Sequence, residues 1–321
     1  MSRLLERLGL ERPIVQAGMG GGVSRHELAA AVTEAGGLGT IGTLGPAHLR
    51  AELEAARRLT AGPLAVNLLL PFASRAHWEV VEAADVVVTF WGVPQRRTSR
   101  IWLHQCGSVG EARTGHNAGA DGVIVQGIEA GGHVRGTVPA LELLERTRAS
   151  VPPEFPVLLA GGLADAGDVE EALGAGAAAA VLGTRFLMSE ESRAHERYKQ
   201  AAVASSDTVL TELFGLGWPA PHRVIPNAAT RRWLRGDPRG PRAARAAQRA
   251  LSPLLTWLPE GLQQRLAAAQ RPRLPLLSPT PPLDDAPLGG LVDAGALYAG
   301  ESVARIADVR AAGELVAELT P

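Results

Sequence analysis

The chain has 321 residues, of which 46% are hydrophobic and 20% charged, and its formal net charge is −1. A net charge this close to zero excludes a general electrostatic attraction to nucleic acid or to an anionic membrane. The single cysteine, Cys106, excludes an internal disulfide bond. No uninterrupted apolar run approaches the roughly 18 residues of a membrane span, and the charged N-terminus does not resemble a signal peptide. We therefore expect a cytoplasmic globular protein without a nucleic-acid or membrane partner.

Short apolar runs alternate with amphipathic segments from residue 13 to about residue 190. The runs are continuous, which is typical of parallel strands buried on both faces. Eight strands are predicted, at Ile14–Ala17, Leu38–Ile41, Leu64–Leu68, Asp85–Phe90, Ile101–Cys106, Gly122–Val125, Pro156–Ala160 and Ala179–Leu182. The predicted crossover helices are His26–Ala35, Pro46–Leu59, Val109–Ala118, Ala140–Arg148 and Asp168–Leu173. The connection between the fourth and fifth strands is too short and too polar for a helix.

A glycine follows most of these strands, at Gly18, Gly42, Gly92, Gly107, Gly127, Gly161 and Gly183. Eight strands with glycines at their carboxyl ends predict an α/β fold of the (β/α)8 TIM-barrel type, with the active site on that face. A doubly wound open sheet is the alternative. The stretch GMGGGVS after the first strand does not have the GxGxxG spacing of a dinucleotide-binding sheet.

The composition changes near residue 220. Residues 223–273 contain eleven arginines but only two acidic residues, Asp237 and Glu260. Helices are predicted at Pro241–Leu251 and Glu260–Ala269, with a proline-rich stretch and a last helix after them. We therefore expect a TIM barrel over residues 1–220 and an extended, mainly helical C-terminal region over 221–321 that packs on the barrel. The arginines favour a solvated helix face or a surface between subunits of a homo-oligomer, with a basic binding patch as the alternative.

Two glycine loops point to a phosphate site. Gly161 and Gly162 end the seventh strand, and Gly183 and Thr184 end the eighth. In TIM barrels the loops after these two strands commonly bind phosphate, and glycine lets the anion come close to backbone N–H groups. Two ordinary turns are the alternative interpretation.

Polar groups follow other strands. Gly18, Met19 and Gly20 lie in a glycine loop over which a flat ring could lie, with Ser24 as the expected N-cap of the next helix. Asn67 and Gln126 are amides at the ends of apolar strands. Each is either a core residue with satisfied hydrogen bonds or a ligand contact, and the barrel mouth favours the ligand.

The stretches QAGMGGG, NLLLP, GADGVIVQGIEAGGH, LLAGG and GTRF, in this order, resemble the nitronate monooxygenase family. Flavin enoyl-acyl-carrier-protein reductases share much of the pattern. The resemblance covers residues 12 to about 200 and implies an FMN-dependent TIM barrel. It implies that Gly161, Gly162, Gly183 and Thr184 bind the FMN phosphate. It also implies that the ring and the ribityl chain are lined by Gly18, Met19, Gly20, Asn67, Gln126, Ala130 and Gly131.

His133, in the stretch EAGGH, matches the catalytic histidine of the family. The resemblance implies that it binds the nitronate or acts as a base. Imidazole titrates near neutral pH, and the glycines before it permit a close approach to a flavin. A structural hydrogen bond to Glu129 is the alternative. Val134 separates His133 from Arg135, whereas the family has arginine directly after the histidine, and Gly18 replaces a proline of the family; both departures concern the substrate and not FMN binding.

Further candidates are weaker. Trp91 either lines a substrate pocket or packs in the fold, and a family resemblance in the C-terminal loop adds Tyr298 and Glu301. His104 and Cys106 alternate onto one face of their strand, so a Cys–His nucleophile pair is conceivable, although free cysteine is usually a buried apolar residue. No cluster has metal-ligand spacing, so no metal is expected.

The predicted function is oxidation of alkyl nitronates with O2 to a carbonyl product and nitrite. The alternative enzyme is an NAD(P)H-dependent enoyl-thioester reductase. A flavin-binding or partner-binding module without turnover would use the arginine-rich region as its interface, but it would leave His133 without a role.

Overall fold

The structure is a computed structural model that describes residues 3–255 and 260–321. The described chain forms two compact units. The barrel unit comprises the residues up to Ala130, Arg135–Ser192 and Asp308–Pro321, and the second unit comprises Gly131–Val134 and Arg193–Ala307. This division differs from the boundary expected at residue 220. The chain leaves the barrel unit after Ser192 and returns to it at Asp308 with its last helix.

The strands in the described part of the chain are short. In chain order they are β1 (Ile14–Gln16), β2 (Gly39–Ile41), β3 (Leu64–Leu69), β4 (Val86–Phe90), β5 (Ile101–Cys106), β6 (Gly122–Gln126), β7 (Gly132–His133), β8 (Val157–Ala160), β9 (Ala180–Leu182), β10 (Val209–Thr211) and β11 (His222–Val224).

Eight of these strands form one parallel sheet in the order β1-β9-β8-β6-β5-β4-β3-β2. Its two edges meet, because the Gln16 N–H donates to the Leu38 carbonyl and the Leu38 N–H donates to the Ile14 carbonyl. The sheet is therefore a barrel without a free edge, and the predicted (β/α)8 fold is confirmed.

The helices are α1 (Arg3–Leu8), α2 (His26–Glu34), α3 (Pro46–Leu59), α4 (Arg75–Val81), α5 (Val109–Asn117), α6 (Ala140–Arg148), α7 (Ala166–Gly174), α8 (Thr184–Leu187), α9 (Glu196–Val203), α10 (Ala228–Trp233), α11 (Arg242–Leu255), α12 (Glu260–Ala268), α13 (Leu291–Ala294) and α14 (Ala312–Leu319). Two 3₁₀ turns cover Leu70–Phe72 and Glu301–Arg305. No helix in the described ranges is long and apolar enough to cross a membrane.

Side chains alternate between the two faces of each barrel strand, so the strands contribute residues to two hydrophobic clusters. Val15, Leu103 and Ile124 belong to one buried cluster that collects residues from seven strands, which is the barrel interior. Their strand neighbours Ile14 and Val125 lie in a second cluster with residues of the surrounding helices. Since both faces of each strand are buried, the runs read as continuously apolar, as expected for a parallel sheet.

The eight predicted barrel strands are confirmed, most of them within one residue at each end. The five predicted crossover helices are confirmed, and β4 and β5 are joined without a helix. Helix α4 was not predicted because it has only seven residues, and its capping box between Ser74 and His77 lacks the usual acidic residue. The N-cap expected at Ser24 is wrong. Arg25 occupies that position, and the Ser24 hydroxyl instead bonds the backbone of Met19.

The second unit is not purely helical. Strands β10, β11 and β7 form an antiparallel sheet in that order, and Phe214, Val224 and Leu277 are among the buried residues of its core. The sheet was missed because strands of two or three residues leave no periodic signal. Part of the arginine-rich region is neutralised locally, since Arg245 and Arg249 both pair with Glu212.

Candidate functional site

Glycines line the carboxyl ends of two neighbouring barrel strands. Gly161 and Gly162 directly follow β8 and have φ angles of +117° and +78°, which side-chain-bearing residues rarely adopt. Gly183 directly follows β9, which is hydrogen-bonded to β8. The two loops therefore lie side by side at the edge of the barrel, as the sequence predicts.

These loops fit a phosphate group. Glycine has no Cβ between an approaching anion and the backbone, and a Cβ on Gly183 would meet only the Ala17 side chain, at 3.7 Å. Thr184 is buried and begins α8, which has only four residues. Because so short a helix has a small dipole, backbone N–H groups rather than the dipole would supply most of the attraction.

The first glycine loop lies against β3. A Cβ on Gly18 would be 2.4 Å from the Asn67 Cβ and 3.0 Å from a Thr40 methyl group, whereas a Cβ on Gly20 would have no contact closer than 3.9 Å. Met19 is partly exposed, and its N–H donates to Ser24 Oγ at 2.9 Å. Gly18 therefore has little room for a side chain.

Asn67 and Gln126 are buried amides with partners inside the barrel unit. Asn67 Oδ1 accepts from the Thr43 hydroxyl at 3.0 Å, and Gln126 Oε1 accepts from the Arg135 N–H at 2.9 Å. Both residues are at most 5% exposed. Gln126 thus binds the backbone of Arg135, which is the first residue of the barrel unit after β7.

Ala130 and Gly131 fall into different units. Ala130 is buried in the barrel unit, and its N–H donates to the Gly127 carbonyl. Gly131 begins the short β7 segment of the second unit, where a Cβ would lie 2.4 Å from the Gly300 nitrogen. Ala130 and Gly131, both expected to contact the flavin, therefore belong to different units.

His133 lies in a cluster of aromatic rings in the second unit. Its ring stacks on Trp218, with centroids 3.6 Å apart and planes 21° apart. The His222 ring is 5.4 Å away and the Tyr298 ring 5.7 Å away, both tilted. Removal of water from the ring lowers the pKa of His133 well below its usual value, and the neighbouring His222 lowers it further. His133 is therefore neutral at neutral pH.

His222 is held in one tautomer. Its Nδ1 is 2.8 Å from the Ala220 carbonyl, which can only accept, so Nδ1 carries the proton. Its Nε2 accepts from the Phe214 N–H at 3.2 Å. With both nitrogens engaged and burial lowering its pKa to about 4, His222 does not exchange protons with His133 near neutral pH.

Comparison with known proteins identifies the family. The profile of the nitronate monooxygenase family matches residues 2–104 and 96–321. The chain belongs to the nitronate monooxygenase family. A probable nitronate monooxygenase of Staphylococcus aureus (strain Newman) is 30% identical over 270 residues, covering 66% of this chain and 76% of the relative.

Solved structures agree with this assignment. The nitroalkane oxidase of Streptomyces ansochromogenes superposes with a TM-score of 0.75 at 30% identity, covering 98% of this chain and 96% of that one. FabK from Thermotoga maritima gives 0.76 at 28% identity, covering 99% and 94%. The chain is thus a flavin-dependent oxidoreductase with the TIM-barrel fold of these neighbours.

Arg135, which follows Val134 and not His133 directly, contacts two side chains of the barrel unit. Arg135 lies in the barrel unit, where it forms an ion pair with Glu111. Its guanidinium also lies 4.6 Å from the centroid of the Trp91 ring. Trp91 is the non-glycine residue with positive φ, +63°, in the described ranges, and such strain is concentrated at functional sites. Trp91 is partly exposed and packs on Arg135, so both interpretations of it stay open.

Tyr298 and Glu301 have different surroundings. Tyr298 lies beside His133, and its hydroxyl donates to the Pro279 carbonyl at 2.9 Å. Glu301 is half-exposed and forms an ion pair with Arg223 at 2.9 Å. Arg223 follows His222, the partner of His133 in the sheet. Of the two candidates, Tyr298 therefore contacts the predicted catalytic histidine directly.

Cys106 and His104 do not form a nucleophilic pair. They point to the same side of β5, as alternation predicts, but Cys106 is fully buried, which raises the pKa of its thiol to about 12. Burial also lowers the pKa of His104 to about 4, and its Nδ1 lies 2.9 Å from the Thr89 hydroxyl. A protonated thiol beside a neutral imidazole is not an activated nucleophile.

One group with metal-ligating side chains occurs in the described ranges, formed by His26, Glu27 and Glu52. Glu52 accepts from the His26 backbone N–H at 3.0 Å and lies 2.6 Å from His26 Nδ1. Glu27 lies 3.2 Å from the other ring nitrogen. The two carboxylates thus lie at opposite nitrogens of one imidazole, and these contacts link α2 and α3.

The sequence does not single out Trp218 or His222 individually, although it predicts that residues 212–227, which contain both, form a long loop able to contact the pocket or a partner subunit. Trp218 belongs to the stretch GLGWPAPH, whose glycines and prolines predict only a loop. The one available signal was an aromatic residue in a long loop, since such loops often carry functional residues.

Proposed function

We propose that this family member oxidises alkyl nitronates with O2, giving a carbonyl compound and nitrite. Atoms and charge balance when two nitronate anions and one O2 yield two carbonyl molecules and two nitrite ions. The supporting observation is the family match along the chain together with the position of His133, whose ring stacks on Trp218 and whose pKa is lowered. The expected cytoplasmic location and homo-oligomer stay predictions.

FMN is the proposed flavin. Gly161, Gly162, Gly183 and Thr184 would bind its phosphate through backbone N–H groups, and Gly18 to Gly20, Asn67, Gln126, Ala130 and Gly131 are the proposed contacts of its ring and ribityl chain. When bound, FMN supplies the electron-transfer chemistry, which no amino-acid side chain provides. The glycine φ angles and the accessible backbone at Gly183 support this assignment.

His133 is the proposed catalytic residue. A neutral imidazole has one N–H that can donate to a nitronate oxygen and one nitrogen that can accept a proton. Because its pKa is lowered, His133 keeps both capacities across the neutral pH range. Tyr298 limits water access on another side of the ring, and Trp91 and Glu301 stay weaker proposals for substrate contacts.

The phosphate assignment can be tested at Gly183. In the Gly183→Ala variant the new methyl group makes an ordinary contact within the protein, so thermal stability should not change. It would stand where a phosphate approaches the backbone, so the affinity for FMN should fall about tenfold or more while that for riboflavin, which lacks the phosphate, stays the same. Equal losses for both ligands would contradict a phosphate at this loop.

The reaction can be tested with two reductants. The flavin-loaded protein is mixed without O2 with propionate 3-nitronate and, separately, with NADH. We expect the nitronate to change the flavin spectrum rapidly and NADH to leave it unchanged, followed in air by release of nitrite. Rapid bleaching by NADH without a response to nitronate would contradict the proposal.

The second candidate is an NAD(P)H-dependent enoyl-thioester reductase. The similarity to FabK, a related enoyl reductase, favours it, since the TM-score of 0.76 matches that to the nitroalkane oxidase. NADH-dependent reduction of a crotonyl thioester would support this candidate. A His133→Asn variant would then lose the reductase activity instead of nitrite release.

A further inference from the structure

The closest ring contact of His133 is with Trp218, and it differs in kind from the other two. The imidazole and indole planes lie nearly parallel, 21° apart, with centroids separated by 3.6 Å. His222 and Tyr298 lie more than 5 Å from the imidazole and are tilted by 60° and 45°. Trp218 therefore covers one face of the imidazole, whereas the other rings approach it obliquely.

The backbone before His133 is only partly packed, since a Cβ on Gly131 would lie 2.4 Å from the Gly300 nitrogen whereas Gly132 is open. Gly131 and Gly132 precede His133, and Gly132 has φ +71° with nothing within 4 Å of a Cβ position. Strand β7 has two residues and pairs only with β11 in the described sheet. Because glycine-rich backbone is permissive, the plane of the His133 ring must be set mainly by side-chain contacts.

Trp218 sits on a loop that is held by hydrogen bonds to other segments of the same unit. The Leu216 N–H donates to the Leu277 carbonyl at 3.0 Å, and the Gly217 N–H donates to Ser252 Oγ at 2.9 Å. Within the loop, the Ala220 N–H donates to the Trp218 carbonyl at 2.9 Å. The indole is thus presented by a hydrogen-bonded loop, and stacking on it restrains the plane of the imidazole.

The other groups near His133 have hydrogen-bond or ion-pair partners of their own. His222 is held in one neutral tautomer by Ala220 and Phe214 and cannot compensate a charge on His133. Burial raises the pKa of the Tyr298 hydroxyl, which donates to a carbonyl and stays protonated. Between β11 and the 3₁₀ turn Glu301–Arg305, the charged groups of Arg223 and Glu301 pair with each other.

We propose that Trp218 is a positioning residue that fixes the plane of the His133 imidazole and shields one of its faces from water. The proposal rests on the proposed role of His133 in the reaction. It predicts that two properties change together when the indole is removed: the orientation of the catalytic ring and its access to solvent.

The variants Trp218→Ala and Trp218→Phe test the proposal. Ring Cε1–H resonances of the histidines, assigned with His133→Gln and His222→Gln, are followed by NMR as the pH is varied in the full-length protein. In Trp218→Ala the pKa of His133 should rise toward about 6.5, because water reaches the exposed face. Trp218→Phe retains an aromatic face and should keep His133 close to its wild-type titration.

Kinetics supply the second measurement. With nitronate as substrate, Trp218→Ala should lower kcat about tenfold while KM changes less, since a misoriented ring slows the chemical step. Trp218→Phe should recover most of kcat. Trp233→Ala is the matched control, because Trp233 lies in the same unit and its indole N–H donates to the Pro272 carbonyl at 2.7 Å.

The outcomes separate this proposal from the proposed function. A folded Trp218→Ala protein whose His133 titrates as in the wild type would overturn the positioning role, whatever the substrate. If the wild type releases no nitrite but the pKa of His133 rises in Trp218→Ala and not in Trp233→Ala, the positioning role stands and the proposed reaction fails. If Trp218→Ala does not fold, Trp218→Phe becomes the test. A folded Trp218→Phe protein in which kcat is lowered about tenfold and the pKa of His133 is raised would overturn the proposal.

Discussion

The barrel unit and the second unit present their functional groups in different ways. In the barrel unit the candidate cofactor contacts are largely backbone, at glycines that follow consecutive strands of one sheet. In the second unit the candidate catalytic group is a side chain among rings from three loops or strands, separated by up to 165 residues between His133 and Tyr298. Backbone sites follow from the fold, whereas side-chain clusters depend on packing between distant segments.

This contrast has a practical consequence. In the barrel unit a single added methyl group should lower stability or FMN binding strongly at one glycine and change neither at another. In the second unit the effect of a substitution should depend on ring shape and protonation. The following predictions test the contrast, beginning with the largest expected effect.

Gly18→Ala should be the most damaging single methyl in the candidate site. Its Cβ would lie 2.4 Å from the Cβ of Asn67, which cannot rotate away because it is attached to the backbone. We expect a loss of about 3 kcal/mol in the free energy of unfolding, or a displaced loop that no longer binds FMN. Urea unfolding and flavin titration measure the two effects.

Gly20→Ala is the control for this prediction. Its Cβ would have no neighbour closer than 3.9 Å, at the Thr43 carbonyl. Stability should change by less than about 0.5 kcal/mol. If both alanine variants behave alike, the close approach of the first glycine loop to β3 is not what fixes the loop.

Two of the buried histidines, one in each unit, predict how stability depends on pH. Burial lowers the pKa of His104 and of His222 to about 4, from 6.5. Between these values the unfolded chain binds more protons, so stability rises with pH and is lost as the pH falls from 6.5 toward 4. Each histidine should account for about 3 kcal/mol across this window.

His222→Gln and His104→Gln should each flatten this dependence. Glutamine can donate and accept hydrogen bonds but does not titrate. In each variant the difference in bound protons between the unfolded and folded states, which sets the slope of the free energy of unfolding against pH, should therefore fall by up to one. Urea unfolding at pH 7.5, 6 and 5, followed separately by probes in each unit, makes the measurement. An unchanged slope in His222→Gln would show that this histidine is already accessible to protons in the folded state.

The smallest effect is expected at the Arg135–Trp91 contact. Arg135 pairs with Glu111 and lies 4.6 Å from the Trp91 ring centroid, and all three are partly exposed. A double-mutant cycle with Arg135→Gln and Trp91→Leu should give a coupling of about 0.5–1 kcal/mol in the free energy of unfolding. Arg135→Lys should retain the attraction to Glu111 but lose part of the coupling to Trp91.

The sequence predicted the barrel unit well for a physical reason. Parallel strands buried on both faces give continuous apolar runs, and the glycines after most of the strands mark the carboxyl edge, so strand positions and the site edge follow from the same pattern. His133 was found by family resemblance and not by periodicity. The extra Val134, an anomaly in the sequence, is explained in part, since Val134 is buried and its N–H donates to the Pro221 carbonyl.

The sequence could not predict the ring cluster. Trp218 and His222 are 85 and 89 residues from His133, and nothing local in their loop specifies which strand they meet. The short strands β7 and β11 that align His133 with His222 have too few residues for an alternating pattern. A site made by cross-strand register between such strands becomes visible only when the pairing is known.

The burial of Cys106 has a consequence for the sulfur chemistry of the chain. Its protonated thiol is out of reach of peroxide, because oxidation proceeds through the thiolate and needs access. Met188 is also fully buried, which leaves Met19 as the partly exposed sulfur within the described ranges. Conversion of the Met19 thioether to a sulfoxide would add a polar oxygen in the first glycine loop, so oxidative ageing of this protein should begin there, as a gain of about 16 Da on one peptide.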